Sequence, residues 1–273
     1  MPPARVTFLG TGTSHGVPII GCRCAVCRSA DPRDNRLRPS IHLDVDGGPG
    51  LLVDTSTDLR QQALRYDITR VDAVLFTHSH ADHVMGLDEL RRFNAITQRG
   101  IPVYADARTG AELTRIFAYA FRPPTGPGGG VPQLGLTEID GPFEVAGVRV
   151  VPVPILHGRQ PILGFRIGNF AYLTDCSEVP EPSFALLEGL DLLVLDALRH
   201  RPHPTHFTVA DAVAVATRIG ARRTVFTHIC HDLPHADTCA ALPSGMALAF
   251  DGQIETIDSV AAPTAAAARA DRA

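Results

Sequence analysis

Four potential metal ligands lie within six residues of the chain, in the run T-H-S-H-A-D-H. They are His78, His80, Asp82 and His83. Imidazole nitrogens and carboxylate oxygens are usual protein ligands of zinc, manganese and iron. One ion cannot take all four side chains at good angles from so short a run, so the spacing predicts two adjacent divalent ions. A solvated patch of histidines is the alternative, and further ligands downstream argue against it.

Other candidate ligands stand where apolar runs end. Six predicted strands lead directly into Asp54, His78, His157, Asp175, Asp196 and His228. A single aspartate after a strand is often a turn residue, but the whole set predicts a polar site on one rim of a sheet. His157, Asp175 and His228 bring the ligands to roughly the seven that two ions about 3.5–4 Å apart require. We expect Asp175 to bridge the ions, because the two oxygens of a carboxylate can serve both.

The predicted pair of ions would activate water. Two cations that share a water molecule lower its pKa from about 15.7 towards about 7. The site would therefore supply a metal-bridging hydroxide at neutral pH and would need no serine or cysteine nucleophile. Histidine and aspartate accept several divalent metals, so the ligand types favour manganese or zinc without choosing between them.

A second group of metal-ligand residues lies near the N-terminus. Cys22, Cys24 and Cys27 stand in the run C-R-C-A-V-C, and three thiolates on one short loop can occupy three corners of a tetrahedral zinc site. A closed site with four protein ligands would be structural. We expect the fourth ligand from the run T-H-I-C-H, where His231 is the first choice and Cys230 the alternative. Three free, reduced cysteines are the remaining interpretation.

The residues between these motifs predict short strands that alternate with helices. Apolar runs bounded by Gly, Pro and Asp predict twelve strands between Val6 and Ile257. Helical spacing of apolar residues predicts five helices, at Thr57–Tyr66, Leu87–Asn94, Arg108–Tyr119, Glu181–Gly189 and Val209–Ile219. This alternation indicates an α/β layered domain.

We expect one hydrolase domain at residues 1–259 and a disordered, alanine-rich tail at 260–273. The segment Arg122–Pro132 is rich in glycine and proline and predicts a turn-rich loop. That loop is either a lid over the active site or an idle surface loop.

Composition and charge exclude several classes of protein. Apolar residues make up 45% of the 273 residues, and no apolar run approaches the roughly 20 residues of a membrane helix. The N-terminal apolar run is too short for a signal peptide, so we expect a cytoplasmic protein. The net charge is −4 and no basic cluster resembles a platform for nucleic acid. The arginine-rich segment Arg33–Arg38 is expected to be solvated surface.

The order of the motifs resembles the metallo-β-lactamase superfamily, in which H-x-H-x-D-H is followed by a later His, Asp and His. The resemblance implies an αββα sandwich, with two mixed sheets packed face to face and helices outside. It implies one ion on His78, His80 and His157, a second on Asp82, His83 and His228, and Asp175 between them. It also implies that Asp54 orients the metal-binding loop.

Longer motifs resemble one branch of that superfamily, the phosphonate-utilisation phosphodiesterases that hydrolyse phosphoribosyl cyclic phosphate. The matching runs are L-G-T-G-T-S-H-G-V-P, G-C-R-C-A-V-C, T-H-S-H-A-D-H, L-T-D-C, T-H-I-C-H and L-P-S-G-M-A-L-A-F-D-G. One departure is His15, which stands where a glutamine is expected. The branch implies one structural zinc on Cys22, Cys24, Cys27 and His231. It further implies that His206 contacts the phosphate and protonates the leaving oxygen, with Asp196 orienting His206 or His228.

These features predict a metal-dependent phosphodiesterase for a small diester, with a cyclic one preferred, and with Asp82 and His206 as catalytic residues. The resemblance also suggests a homodimer. Rival predictions are a ribonuclease Z-like nuclease, a lactamase or thioesterase, and a non-hydrolytic protein resembling the pyrroloquinoline quinone pathway protein B. The complete ligand set favours catalysis. We expect His200 and His203 at the surface.

Overall fold

The computed structural model describes residues 2–122 and 130–258. The strands in this part of the chain are β1 (Ala4–Gly10), β2 (Ser40–Val45), β3 (Gly50–Val53), β4 (Ala73–Leu75), β5 (Ile101–Ala105), β6 (Leu134–Glu138), β7 (Phe143–Val145), β8 (Val148–His157), β9 (Gln160–Ile167), β10 (Phe170–Leu173), β11 (Leu192–Asp196), β12 (Arg223–Thr227), β13 (Met246–Leu248) and β14 (Ile254–Ile257). The helices are α1 (Leu59–Arg65), α2 (Ala81–Val84), α3 (Leu90–Thr97), α4 (Ala107–Ile116), α5 (Glu181–Phe184), α6 (Val209–Ile219) and α7 (His235–Ala241).

The described strands form two seven-stranded mixed sheets, in the orders β14-β1-β2-β3-β4-β5-β6 and β13-β12-β11-β10-β9-β8-β7. In the first sheet β14 to β3 pair antiparallel and β3 to β6 pair parallel. The second repeats the pattern, antiparallel from β7 to β10 and parallel from β10 to β13. Open sheets of parallel strands place ligand sites outside the carboxyl ends of the strands.

The two sheets pack face to face around one apolar core. Phe8 and Val53 of the first sheet meet Phe165 and Val194 of the second in this core, and all four side chains are buried. Burying an apolar side chain of this size contributes roughly 1.5–3 kcal/mol, so the core holds both sheets rigidly. Two further cores lie on the outer faces, under α1, α3 and α4 on one side and α5 and α6 on the other. The predicted αββα sandwich is confirmed.

The twelve predicted strands and five predicted helices are present, most of them with shifted ends. The helix predicted at Leu87–Asn94 begins as a 3₁₀ turn and continues as α3. Thr208 and Asp211 form a capping box at the start of α6. Strands β6 and β7 and helices α2 and α7 are not predicted, because β6 is mostly exposed and the other three are short.

No helix among the described residues is long and apolar enough to cross a membrane. Residues 123–129, the inner part of the Arg122–Pro132 loop, lie outside the described residues, as does the predicted tail at 260–273. The domain bounds therefore stay a prediction.

Candidate metal centre

The T-H-S-H-A-D-H run crosses from the end of β4 into α2, a single helical turn. His78 and His80 precede this turn, and Asp82 and His83 lie within it. His157 at the end of β8 completes one group with His78 and His80, in which the three ligand atoms lie within 4.8 Å of one another. The strands and the turn thus bring together residues that are 79 positions apart in sequence, counted from His78 to His157.

A second group of candidate ligands adjoins the first. Asp82, His83, Asp175 and His228 also have ligand atoms within 4.8 Å of one another, and all four are buried. The groups correspond to the two sets that the sequence resemblance implies. Every residue of the predicted seven-ligand set therefore lies at one edge of the sandwich.

Asp175 lies between the two groups. Its Oδ2 is 3.1 Å from His83 Nε2, and its Oδ1 is 3.2 Å from His228 Nε2. The same Oδ1 is 4.0 Å from Nε2 of His78, which belongs to the other group. This placement suits a carboxylate that serves two ions.

Three strand-end residues of the centre have left-handed backbone. Asp54, Asp175 and His228 have φ of 61°, 55° and 59°. This region is uncommon for residues other than glycine and costs on the order of 1 kcal/mol or more, so it persists where the surroundings over-determine it. At each position the turn aims a side chain into the site instead of along the strand.

The unpaired atoms of the site fit a cation. His83 Nδ1 donates to Asp54 Oδ2 at 2.7 Å, so its Nε2 carries a lone pair when the ring is neutral. That Nε2 is buried, has no hydrogen-bond partner among the described residues and faces carboxylate oxygens of Asp175 and Asp82 at 3.1 and 3.3 Å. A buried lone pair against two carboxylates is repulsive, and a cation between them removes the repulsion.

The charges around the histidines point the same way. Burial, and then the neighbouring His83, hold the pKa of His78 well below its usual range, which keeps that imidazole in the neutral form that binds metal. Burial opposes charge on His83 too, but the carboxylates of Asp175, Asp82 and Asp54 raise its pKa well above the usual value. The carboxylates around His83 therefore favour a positive charge at that position, whereas the neighbouring His78 ring stays neutral.

Hydrogen bonds orient most of the buried rings. Thr77 Oγ1 donates to Asp54 Oδ2 at 2.8 Å, and it lies 3.0 Å from Nδ1 of His78, which can donate to it. His157 Nδ1 donates to the carbonyl oxygen of Thr205 at 2.9 Å. The role of the Thr205 carbonyl is not predictable from sequence, because any residue type offers that oxygen.

His206 lies against the candidate ligands. Its ring is stacked on that of His228, with centroids 4.6 Å apart, and lies edge-on to that of His157 at 4.7 Å. Its Nδ1 donates to Asp196 Oδ2 at 3.0 Å, and only 9% of the side chain is exposed. Burial lowers the pKa of His206, against the raising effect of the nearby carboxylates. The predicted partner Asp196 thus orients His206, and its other oxygen is 3.9 Å from His228.

Two other histidines of the same loop differ from one another. His200 is exposed, in agreement with a surface position. His203 is only partly exposed, and its ring centroid is 5.1 Å from that of His206. His203 thus keeps part of its side chain at the surface while it contacts His206. His15 is exposed and joins none of the candidate metal groups among the described residues.

The cysteine loop forms a separate group of four candidate ligands. The Sγ atoms of Cys22, Cys24 and Cys27 lie 3.2, 3.5 and 3.5 Å from Nδ1 of His231. In a tetrahedral site with Zn–S of about 2.3 Å and Zn–N of about 2.0 Å, sulfur and nitrogen lie roughly 3.5 Å apart. Cys230 is not in the group, and its Sγ accepts from the backbone N–H of Asp232 instead. The geometry fits one zinc ion with His231 as the fourth ligand.

The thiols of this group differ in acidity. A hydrogen bond from the Cys27 backbone N–H lowers the pKa of the Cys24 thiol to about 7. Burial raises the pKa of Cys27 to about 11. Since the thiolate is the form that binds metal, Cys24 is more readily available as a ligand than Cys27.

Replacing Cys24 by serine is expected to lower the melting temperature. Serine is a poor zinc ligand, and losing about 3 kcal/mol of the metal's contribution corresponds to roughly 6–12 °C for a domain of this size. Differential scanning calorimetry of the zinc-loaded protein measures the change. Cys239→Ser is the matched control, because Cys239 lies outside the group. Equal melting temperatures for Cys24→Ser and the parent would remove the structural role of this site.

The comparisons with known proteins agree with the fold. The model of the beta-lactamase superfamily domain matches residues 50–229. A crystal structure of a diphosphatase from the PhnP family is 44% identical, covers 96% of this chain and 100% of that chain, and has a TM-score of 0.89. Similarity at this level extends over nearly the whole chain.

Two similar proteins have names that refer to activities other than that of the diphosphatase. An octanoyltransferase of Porphyromonas gingivalis is 41% identical over 258 residues, which are 93% of this chain and 52% of that protein. This chain therefore spans about half the length of that relative. A coenzyme PQQ synthesis protein B of Methylobacterium nodulans is 30% identical over 228 residues, covering 70% of this chain and 72% of that protein.

Proposed function

The chain belongs to the metallo-β-lactamase superfamily and to its PhnP-like branch, and we propose that this metal-dependent hydrolase cleaves a small, cyclic phosphodiester. The observation that carries the proposal is the pair of ligand groups joined at Asp175, with His206 stacked beside them. A thiolate, the leaving group of a thioester, departs without a proton, so thioester hydrolysis does not call for a proton donor at the position of His206. Cleavage of a diester with a poor leaving group does.

In this proposal His78, His80 and His157 would hold the first ion, and Asp82, His83 and His228 the second. Asp175 would serve both. When bound, the two ions offset the charge of the phosphate and activate water as the nucleophile. Manganese and zinc both suit these ligands. The zinc of the cysteine loop has no part in the reaction.

His206 is proposed to supply the proton for the leaving oxygen. Its Nδ1 is engaged by Asp196, so the other ring nitrogen is the one free to face the substrate. The Asp196 carboxylate stabilises the imidazolium form that must give up this proton. Proton transfer of this kind contributes typically 10²–10⁴-fold to a rate.

A small substrate follows from the charge of the protein. The chain carries a net charge of −4, and a long polyanion such as RNA needs a basic surface to bind. The similarity to a PhnP-family diphosphatase supports a second candidate bond, the P–O–P bond of a diphosphate. The homodimer and the cytoplasmic location stay predictions.

The test is a substrate panel with the metal-loaded protein. Phosphate substrates are bis-p-nitrophenyl phosphate, ribose cyclic phosphates and a dinucleoside diphosphate. Competing substrates are nitrocefin, a glutathione thioester, an octanoyl thioester and a precursor tRNA. We expect hydrolysis of the phosphate substrates, loss of this activity with a chelator and recovery with manganese or zinc. Cleavage confined to the competing substrates, or no cleavage of any phosphate ester, would overturn the proposal.

A further inference from the structure

A fully buried arginine lies against the backbone that carries His228 of the His/Asp centre and His231 of the cysteine group. The side chain of Arg36 has no exposed surface, although the sequence places Arg33–Arg38 on the solvated surface. That expectation is wrong for Arg36, because its guanidinium meets acceptors that are remote in sequence. Its Nη2 is 2.9 Å from Asp34 Oδ1, so the charge is paired inside the protein.

The other donors of Arg36 bind the backbone that follows β12. Nη1 donates to the carbonyl oxygen of Cys230 at 2.8 Å, and Nη2 donates to that of Leu233 at 2.7 Å. Asp34 accepts from the backbone N–H of His235 at 2.8 Å through the oxygen that it shares with Arg36. The Arg36–Asp34 pair therefore clamps one backbone segment, residues 228–235, at three points.

This segment carries one candidate ligand of the His/Asp centre and one of the cysteine group. His228 belongs to the Asp82, His83 and Asp175 group, and His231 completes the cysteine group. On its other side, the backbone N–H groups of Ile229 and Cys230 donate to the carbonyls of Thr11 and Leu198. The position of the segment is thus set by hydrogen bonds to its backbone, and the Arg36 side chain donates two of them.

His228 depends on this backbone more than the other buried ligands do. Rings of His78, His83 and His157 each have a hydrogen-bond partner at Nδ1. Both ring nitrogens of His228 are buried without a hydrogen-bond partner among the described residues. Its ring orientation therefore follows from its left-handed backbone and from packing on His206.

We propose that Arg36 is a positioning residue for His228, and that it sets the affinity of the metal group containing His228 by fixing the backbone of residues 228–235. The same clamp holds His231 at the cysteine group, so it joins the structural site to the edge of the active site. This inference rests on the metal ligation of the proposed function, but not on the identity of the substrate.

The experiment titrates cobalt(II) into protein freed of active-site metal with a chelator, and follows visible absorption and heat. We expect two binding steps at the His/Asp centre of the parent, and Asp82→Ala marks the step that belongs to the His228 group. Arg36→Met keeps the length of the side chain and removes its donors. It is expected to raise the dissociation constant of that step by about 10- to 100-fold and to leave the other step unchanged. Arg36→Lys, which keeps the charge, is expected to give a smaller rise.

Arg166→Met is the matched control. Arg166 is also buried and also donates to two backbone carbonyls, those of Gly168 and Leu186, but neither lies near a metal group. A general loss of stability would act in both variants, whereas loss of positioning acts only in Arg36→Met. An equal change in the two variants, or no change in Arg36→Met, would overturn the inference.

Three further outcomes are decisive. If Arg36→Met does not fold, Arg36→Lys decides. An unchanged dissociation constant for the step of the His228 group in that variant overturns the inference. If the parent binds only one ion at the His/Asp centre, both the inference and the two-metal basis of the proposed function fail. If the parent binds two ions but cleaves no phosphate ester, only the proposed function fails.

Discussion

Replacing Asp175 by asparagine is expected to lower kcat/KM for bis-p-nitrophenyl phosphate by about a thousandfold. The reason is that the Asp175 carboxylate faces both ligand groups, with oxygens 3.1 and 3.2 Å from His83 and His228 on one side and 4.0 Å from His78 on the other. Asparagine keeps the shape of the side chain but removes its charge and replaces one oxygen by a nitrogen that cannot bind metal. Steady-state kinetics with metal analysis of the same sample measures the effect.

The matched control for this prediction is Asp191→Asn. Asp191 is a partly exposed aspartate paired with Arg222 before β11, away from the candidate ligands. We expect Asp191→Asn to keep parental activity and metal content. An Asp175→Asn variant with full activity and two bound ions would show that the centre does not need a shared carboxylate.

The second large effect is expected for His206→Ala, and it depends on the leaving group. For a diester with an alkoxide leaving group, kcat is expected to fall by about 10²–10⁴-fold, because the proton donor is lost. For bis-p-nitrophenyl phosphate the change is expected to be small, since p-nitrophenolate leaves without a proton. Parallel assays of the two substrates on the same preparation measure this split.

The control for His206 is His200→Ala, the exposed histidine of the same loop. It is expected to leave both rates unchanged. A His206→Ala variant that loses both activities equally, together with bound metal, would indicate that His206 holds the centre together and does not donate a proton.

The candidate ligands could be predicted from sequence because their chemistry and their location are both local. His78, His80, Asp82 and His83 are adjacent, and Asp175 and His228 directly follow apolar strands. Parallel strands of two face-to-face sheets end at one edge, so residues at those ends converge. The sequence leaves His231 and Cys230 open as the fourth ligand; among the described residues, His231 is the one grouped with all three thiols, and Cys230 lies outside that group.

The groups that orient the ligands could be predicted only in part. Asp54 and Asp196 stand at strand ends, where a carboxylate directly after an apolar run marks a candidate site residue. The Thr205 carbonyl and the Arg36 guanidinium have no such signal, because their roles depend on which backbone segments meet in three dimensions. Arg36 was misplaced for the same reason, since an arginine-rich run is usually solvated and only the fold brings the carbonyls of Cys230 and Leu233 to it.

The elements that escaped prediction are short or exposed. Strand β6 has the sequence L-G-L-T-E, whose residues are mostly exposed, so its apolar pattern is weak. Helix α2 spans four residues, too few for helical periodicity to be visible. Yet α2 is the element that places Asp82 and His83, so the geometry of the centre depends on an element that the sequence pattern does not show.

Metal titration of the chelator-treated protein tests the central claim most directly. Manganese or zinc is added in fractions of an equivalent, and hydrolysis of bis-p-nitrophenyl phosphate is followed at each step. We predict that activity reaches its plateau at two equivalents per chain, in addition to the zinc of the cysteine group. Full activity at one equivalent, or hydrolysis without any added metal, would contradict a two-metal hydrolase.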